Sequence, residues 1–406
     1  MGGPKLHHIV DMLARLIGLI VLCAVPLPSH AGDASTSPVK AQGDAAQGTY
    51  FPEEAERWIP FTGLEDQQIV IPAWIDGESI SALIDTGTPF TAISASWAKS
   101  HGAALSAVEN STGLGGREVH LWQTALGSLR FGGYVQKGGV ISVMDLDGIN
   151  AQLPNRRIDM IIGFAALQHF VTEIDFDQVR IRIHMAASSP SRARPVPTEL
   201  SRDKERLMTS LSLSHRTIGP LMIDTGDSGS LSIYRSVLGA DAPHWRVTDL
   251  ESVGFGGGYT TDYVRLNGIS WGGNRLGNVP TTIDGKAIGG SGSGRIGMEM
   301  LERYNLFIDG PNGRLLLTPR SRRPSPPVVS NMGIQGDMTD QGWQVTHVMR
   351  HSPAQAIGLH DGDRICAVDD QAMTAKSLIP RGRDGSVMHL SLCDGRKIVL
   401  KRRNFY

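Results

Sequence analysis

Asp-Thr-Gly occurs twice, as Asp85-Thr86-Gly87 and as Asp224-Thr225-Gly226, 139 residues apart. Each copy closes an apolar run, Leu83-Ile84 in the first case and Leu221-Met222-Ile223 in the second. A lone copy would mean only a turn, with Asp capping a loop and Gly supplying positive φ. Two copies in matching surroundings are candidates for paired carboxyl chemistry. Asp is short enough to be held rigidly at a loop apex, where it can take or give a proton at a fixed point.

The surroundings do match. Gly113-Leu114-Gly115-Gly116 has a counterpart in Gly254-Phe255-Gly256-Gly257. The segment Gly127 to Gly133 is paralleled by Gly268 to Gly273. Ile161-Ile162-Gly163 precedes a short helical stretch, Phe164 to Phe170, and then Glu173-Ile174-Asp175; Arg295-Ile296-Gly297 precedes Met298 to Tyr304 and then Phe307-Ile308-Asp309. Landmarks in one order at nearly one spacing indicate a duplicated unit. Ile69-Val70-Ile71, Ala73-Trp74-Ile75 and Ile80 to Ile84 read as strands, and Asp76-Gly77 suits a tight hairpin turn. The expected fold is mainly β: two similar lobes related by a pseudo-twofold axis, followed by a small α+β domain.

From about residue 57 to 320 this pattern resembles the retropepsin-like aspartic proteases. The resemblance implies retropepsin/pepsin-like lobes whose two loops meet at an interface. There Asp85 and Asp224 form a catalytic dyad sharing one proton, since neighbouring carboxylates cannot both ionise cheaply. One activates a water and the other donates to the scissile carbonyl. Thr86 and Thr225 then cross-bond the lobes, Gly87 and Gly226 let the backbone approach the carboxylates, and Thr88 holds the outer oxygen of Asp85. Gly113, Gly115 and Gly116, with Gly254, Gly256 and Gly257, fall where the family has flap hairpins that cover an extended peptide. A phosphate-cradling loop would need a helix to open at once after the glycines, whereas Tyr259 to Leu266 reads as strand. Two positions depart from the family pattern: Asp227 stands where a small or hydroxyl residue is usual, and Arg295 where an apolar one is. An Arg295–Asp227 pair is one possible reason. A degraded second half, with Asp85 paired to Asp85 of another chain in a homodimer, is an alternative. So is a non-catalytic peptide-binding scaffold on the same fold.

The remaining chain frames these lobes. Lys5 and Arg15 precede the apolar run 16–28, too short for the roughly 20 residues of a membrane span, and Ser29-His30-Ala31 ends like a cleavage site. Residues 1–31 are therefore expected to be a secretory signal, placing the protein in a periplasm or outside the cell. Residues 32–56 read as a flexible lead-in, 57–187 as lobe one, 188–197 as a linker, 198–320 as lobe two, 321–329 as a second linker and 330–406 as the last domain. In that domain Gln344 to Val348 and Arg364 to Val368 are strand-like, and Ser352-Pro353 starts a short helix closed by Gly358. This resembles a PDZ domain, which implies peptide capture as an added strand and a backbone nest at Met332, Gly333 and Ile334 for a terminal carboxylate. A purely tethering module is the other reading. Export permits disulfides, but Cys366 reads as mid-strand while Cys393 adjoins a turn, and the expectation is two separate thiols. With 39 Lys+Arg against 40 Asp+Glu, nothing electrostatic suggests nucleic acid. No metal spacing appears among the cysteines and histidines, and no cofactor is expected. The expected partner is polypeptide, and the expected state a monomer.

Overall fold

The computed structural model describes residues 57–406 apart from 109, 113–117, 154–155, 186–189, 191, 202–204, 239–244, 256, 286–291, 323–329 and 378–381, and also the backbone of two short strands nearer the N-terminus, Leu16–Ile17 and Gly48–Tyr50. Asp76 and Gly77 both take positive φ (51° and 87°), so the strand Val70–Ile75 folds directly back onto Glu78–Asp85. That turn geometry matches the right-handed twist of the flanking strands. The second strand ends on Asp85 itself.

The two lobes repeat one strand order. In lobe one Glu78–Asp85, Met160–Gly163, Ala92–Ser94 and Val140–Met144 lie side by side; in lobe two the same succession is Arg216–Ile223, Gly294–Ile296, Leu231–Tyr234 and Val279–Asp284. The two stretches expected to be helical are helices of a single turn, Phe164–Leu167 and Met298–Leu301.

A six-stranded antiparallel sheet joins the lobes, in the order Arg194–Val196, Arg314–Pro319, Tyr304–Asp309, Val171–Asp175, Arg180–His184 and Ile59–Pro60. Ile174, Ile181, Leu306 and Leu315 on one face belong to an apolar core that runs through both lobes, while Val171, Phe307 and Leu316 form a separate small cluster. The Asp loops thus stand on a shared foundation. Two expectations are corrected here. The segment 188–197 ends in the strand Arg194–Val196, with Val196 buried, and the lead-in contains Gly48–Tyr50 paired with Tyr134–Gln136. Unmet backbone hydrogen bonds at a sheet edge recruit such flanking chain.

In lobe two the strands Thr248–Gly254 and Gly257–Leu266 form a long hairpin. At its tip Phe255 packs against a lobe-one cluster of Val70, Leu83, Val119, Met144, Leu146 and Ile161, so the hairpin reaches across to the other lobe. The last domain, a sheet ordered Ile334–Thr339, Gly342–Val348, Arg364–Val368, Val387–Leu392 and Lys397–Lys401, docks on this hairpin. Leu250 and Tyr263 bury against Met349, Phe405 and Tyr406. Gln335 gives and takes hydrogen bonds with the backbone of Glu251 (3.1 and 2.8 Å), and Arg350 pairs with Asp249 at 3.0 Å and with Asp262.

The two-thiol expectation is overturned. Cys366 and Cys393 form a disulfide with Cα atoms 5.1 Å apart. The strand Arg364–Val368 runs antiparallel to Val387–Leu392 with a bulge after Ile365, which sets Cys366 beside the turn that carries Cys393. The bond closes a loop of 27 residues. Chain-entropy arguments assign such a loop about 3.5 kcal/mol. Cys366→Ser with Cys393→Ser is accordingly expected to lower the melting temperature of the full chain by several degrees, and reductant should lower it for wild type but not for the variant. Calorimetry with and without a thiol reductant checks this.

Candidate active site

The two Asp-Thr-Gly loops meet where the lobes join, each at the end of its apolar strand. Thr86 Oγ1 donates to Ile223 O at 2.7 Å and accepts from the N–H of Thr225 at 3.0 Å. Thr225 Oγ1 donates to Ile84 O at 2.8 Å and accepts from the N–H of Thr86 at 3.0 Å. All four bonds cross between lobes and are buried. Each hydroxyl serves one donor and one acceptor, so losing it strands two groups at about 1–3 kcal/mol apiece. This reciprocal lock fixes the two loops relative to one another.

Asp85 and Asp224 are both fully buried and stand within interacting distance of each other. The glycines make this possible. A Cβ on Gly87 would lie 2.6 Å from Oδ2 of Asp224, and one on Gly226 would lie 2.7 Å from Oδ2 of Asp85. The Ile-Gly landmark has a related explanation. Gly163 and Gly297 pass directly beneath the loops, where a Cβ would be 2.6 Å from Thr88 O and 2.7 Å from Asp227 O. The amides that follow, Phe164 N–H and Met298 N–H, donate to those same carbonyls at 2.8 and 2.7 Å.

The halves differ in electrostatics. Asp85 Oδ1 accepts from the N–H groups of Gly87 (2.9 Å) and Thr88 (3.1 Å), and its Oδ2 accepts from Thr88 Oγ1 at 2.8 Å. Asp224 Oδ1 accepts from the N–H groups of Gly226 (3.0 Å) and Asp227 (3.1 Å), while its Oδ2 has no hydrogen-bond partner among the described residues. Burial pushes the Asp85 carboxyl up to about 7, opposed by the Thr88 hydroxyl, the loop N–H groups and the facing Asp224. Asp224 is raised well above the ordinary carboxylate range, by burial first, then by the charges of Asp85 and Asp227, with Arg295 opposing. Two closely held acids with separated proton affinities can hold one proton between them.

Asp227 and Arg295 do pair. Arg295 Nε bonds Asp227 Oδ2, and Arg295 Nη1 bonds Asp284 Oδ2 at 3.0 Å, all three side chains being buried. Sequence reasoning missed Asp284. The signal available was a carboxyl ending the otherwise uncharged run Val279 to Ile283, where the first repeat has Met144. Tyr259, on the hairpin, faces the same group and was also missed.

Other expected site residues fall elsewhere. Gly254 and Gly257 flank the hairpin tip; Gly113, Gly115, Gly116 and Gly256 lie outside the described residues. The nest expected at Met332, Gly333 and Ile334 is not open. Gly333 N–H donates to Ser330 Oγ at 2.9 Å, and a Cβ on Gly333 would lie 3.1 Å from Cζ of Phe405. The chain's own Phe405 and Tyr406 cover that place.

Residues 71–166 match the family model described as Aspartyl protease, and residues 324–378 match that described as PDZ domain. No curated protein matches the chain. The chain therefore carries an aspartyl protease domain in its first lobe and a PDZ domain after its second. The second lobe, outside the first match, supplies the other Asp-Thr-Gly loop.

Proposed function

We propose that the protein is an exported aspartic endopeptidase in which Asp85 and Asp224 share one proton and hydrolyse a peptide bond. The observation that carries this reading is the meeting of the two Asp-Thr-Gly loops, locked by Thr86 and Thr225, with both carboxyls buried. The ionised acid removes a proton from water as its oxygen attacks the scissile carbonyl carbon. The protonated acid donates to the carbonyl oxygen; the tetrahedral adduct then collapses, the C–N bond breaks as the amine takes the proton drawn from water, and a hydroxyl of the adduct returns a proton to the donor acid. Asp224 comes from the same chain and stands where a second chain's Asp85 would otherwise be needed, so the reading is of a monomer. The substrate is polypeptide, laid extended beneath the hairpin Thr248–Leu266, which supplies backbone groups to it. Both carboxyls are buried, and in this reading substrate enters as the Phe255 tip lifts from its lobe-one cluster. Export rests on the leader, and a cut after Ala31 would release Leu16–Ile17 from the hairpin's outer edge.

The test is cleavage of an unfolded polypeptide in 18O-labelled water across pH 4–9, read by mass spectrometry. The expected result is internal cleavage with label entering each new C-terminus and no covalent enzyme adduct. Binding of unfolded polypeptide without cleavage at any pH would replace this reading with the scaffold.

A further inference from the structure

Asp227 stands three residues after Asp224, as Thr88 does after Asp85, and the strand registers place Met144 and Ile161 in lobe one where lobe two carries Asp284 and Arg295. In lobe one Met144 and Ile161 pack with Leu83 and Ala92 in an apolar cluster. Lobe two has replaced that apolar contact with two carboxylates on one guanidinium, a group that carries one negative charge in excess. Burying such a group costs more than apolar packing of similar volume, so stability does not explain it. Its position does suggest a use. Asp227 lies in the loop that holds Asp224, and its Oδ1 takes the N–H of Gly229 at 2.7 Å while Oδ2 is committed to Arg295. Its carboxylate is thereby fixed beside Asp224, at the position from which Thr88 donates to Asp85.

We propose that Asp227 is a positioning residue whose carboxylate, held beside Asp224 by its bond to Arg295, assigns the shared proton to Asp224 and leaves Asp85 as the ionised partner that activates water. This rests on the dyad reading above. Three donors meet the Asp85 carboxyl, one of them at its Oδ2; two meet Asp224, both at Oδ1, so its Oδ2 has none among the described residues and the side chain standing in place of the Thr88 hydroxyl is a carboxylate. A carboxyl in the second setting keeps its proton, and one in the first releases it. The groups facing the triad from the packed elements are Tyr259 from the hairpin, Tyr234 from the strand Leu231–Tyr234 and Glu299 from the helix Met298–Leu301. Burial, opposed by Arg303, with further rises from Glu302 and Asp227, pushes Glu299 up to about 7. Burial also holds the Tyr259 hydroxyl protonated well above its usual range. None of these supplies a second cation to neutralise Asp227.

The test uses the full chain carrying 13C at the aspartate carboxyls, titrated by NMR. Asp85→Asn and Asp224→Asn assign the two signals. Wild type is compared with Asp227→Asn, which removes charge but keeps shape, and with the triple exchange Asp227→Thr, Asp284→Met and Arg295→Ile, which copies lobe one. In wild type Asp224 is expected to lose its proton after Asp85. In both variants its midpoint should fall by one pH unit or more while that of Asp85 moves less, and the alkaline limb of kcat/KM should follow by the same amount. Should the triple exchange fail to fold, Asp227→Asn decides alone. An Asp224 midpoint unmoved in folded Asp227→Asn, or Asp85 losing its proton last in wild type, overturns the assignment. If the midpoints shift as expected but no form cleaves polypeptide, the proton assignment stands and only the endopeptidase reading falls.

Discussion

Asp85→Asn and Asp224→Asn are each expected to reduce polypeptide cleavage roughly 10^3-fold or more, with the chain still folded. Acid–base participation by one positioned group is worth roughly 10^2- to 10^4-fold, and here each carboxyl has a partner that acts only while the other holds its own state. The amide of Asn neither accepts the proton of an attacking water nor donates an acidic one. It keeps the shape, so the loop N–H groups of Gly87 and Gly226 retain an oxygen to bond.

Stability separates loss of chemistry from loss of fold. Both carboxyls have raised proton affinity in the folded chain, Asp85 up to about 7 and Asp224 further. Between the ordinary carboxylate range of about 4 and neutrality, the folded state therefore binds more protons than the unfolded one. Stability then falls as pH rises through that window. Each Asn variant removes this cost and should melt at pH 7 no lower than wild type. The same raised affinities place the singly protonated pair near neutral pH, so cleavage should be weak at pH 4 and rise towards 7. Loss of cleavage with an unchanged or higher melting temperature is the expected pair of readings; cleavage at the wild-type rate by both variants would remove the dyad from the reaction.

Gly226→Ala and Gly87→Ala carry the second large effect. The added methyl must occupy space held by the opposite lobe's carboxyl, Asp85 in one case and Asp224 in the other. The neighbour is not the end of a flexible chain. Asp85 is anchored by three hydrogen bonds and Asp224 by two, so neither can swing away cheaply. Overpacking of this kind costs about 1–3 kcal/mol, and displacing a reacting group by about 1 Å costs roughly 10^2-fold in rate. Both variants should therefore lose about 10^2-fold in kcat and melt several degrees lower. Gly148→Ala is the control: its methyl would meet nothing within 4 Å, and it lies in the short helix Asp147–Asn150. It should keep full activity, with melting unchanged or slightly raised. Steady-state kinetics and calorimetry on the three variants check both halves of the argument.

Much of the site was readable because its signals are local or repeated. An apolar strand, an Asp-Thr-Gly loop, a glycine-rich hairpin and an Ile-Gly before a helical turn each occupy a few residues, and each follows from alternation, turn chemistry or close approach. Seen twice at nearly one spacing, they point to two lobes, and the resemblance they carry implies that the two acids face each other. The positive φ at Asp76 and Gly77 is likewise what an Asp-Gly pair between alternating strands dictates. Asp227 and Arg295 stood out as departures, but the third partner, Asp284, lies outside the repeated landmarks, and only the strand register shows that it replaces Met144.

What the amino-acid sequence by itself determined is the duplicated β framework, the pair of Asp-Thr-Gly loops and the PDZ-like ending, because these rest on periodicity and turn residues within short windows. Tertiary structure alone decided that Arg295 gathers two carboxylates beside Asp224, and that the PDZ domain seats on the hairpin through Leu250, Tyr263 and Tyr406. It also decided the Cys366–Cys393 bond. Each depends on which strand edges lie together after folding, and a strand's register against a distant partner is set by packing of the whole face rather than by its own residues.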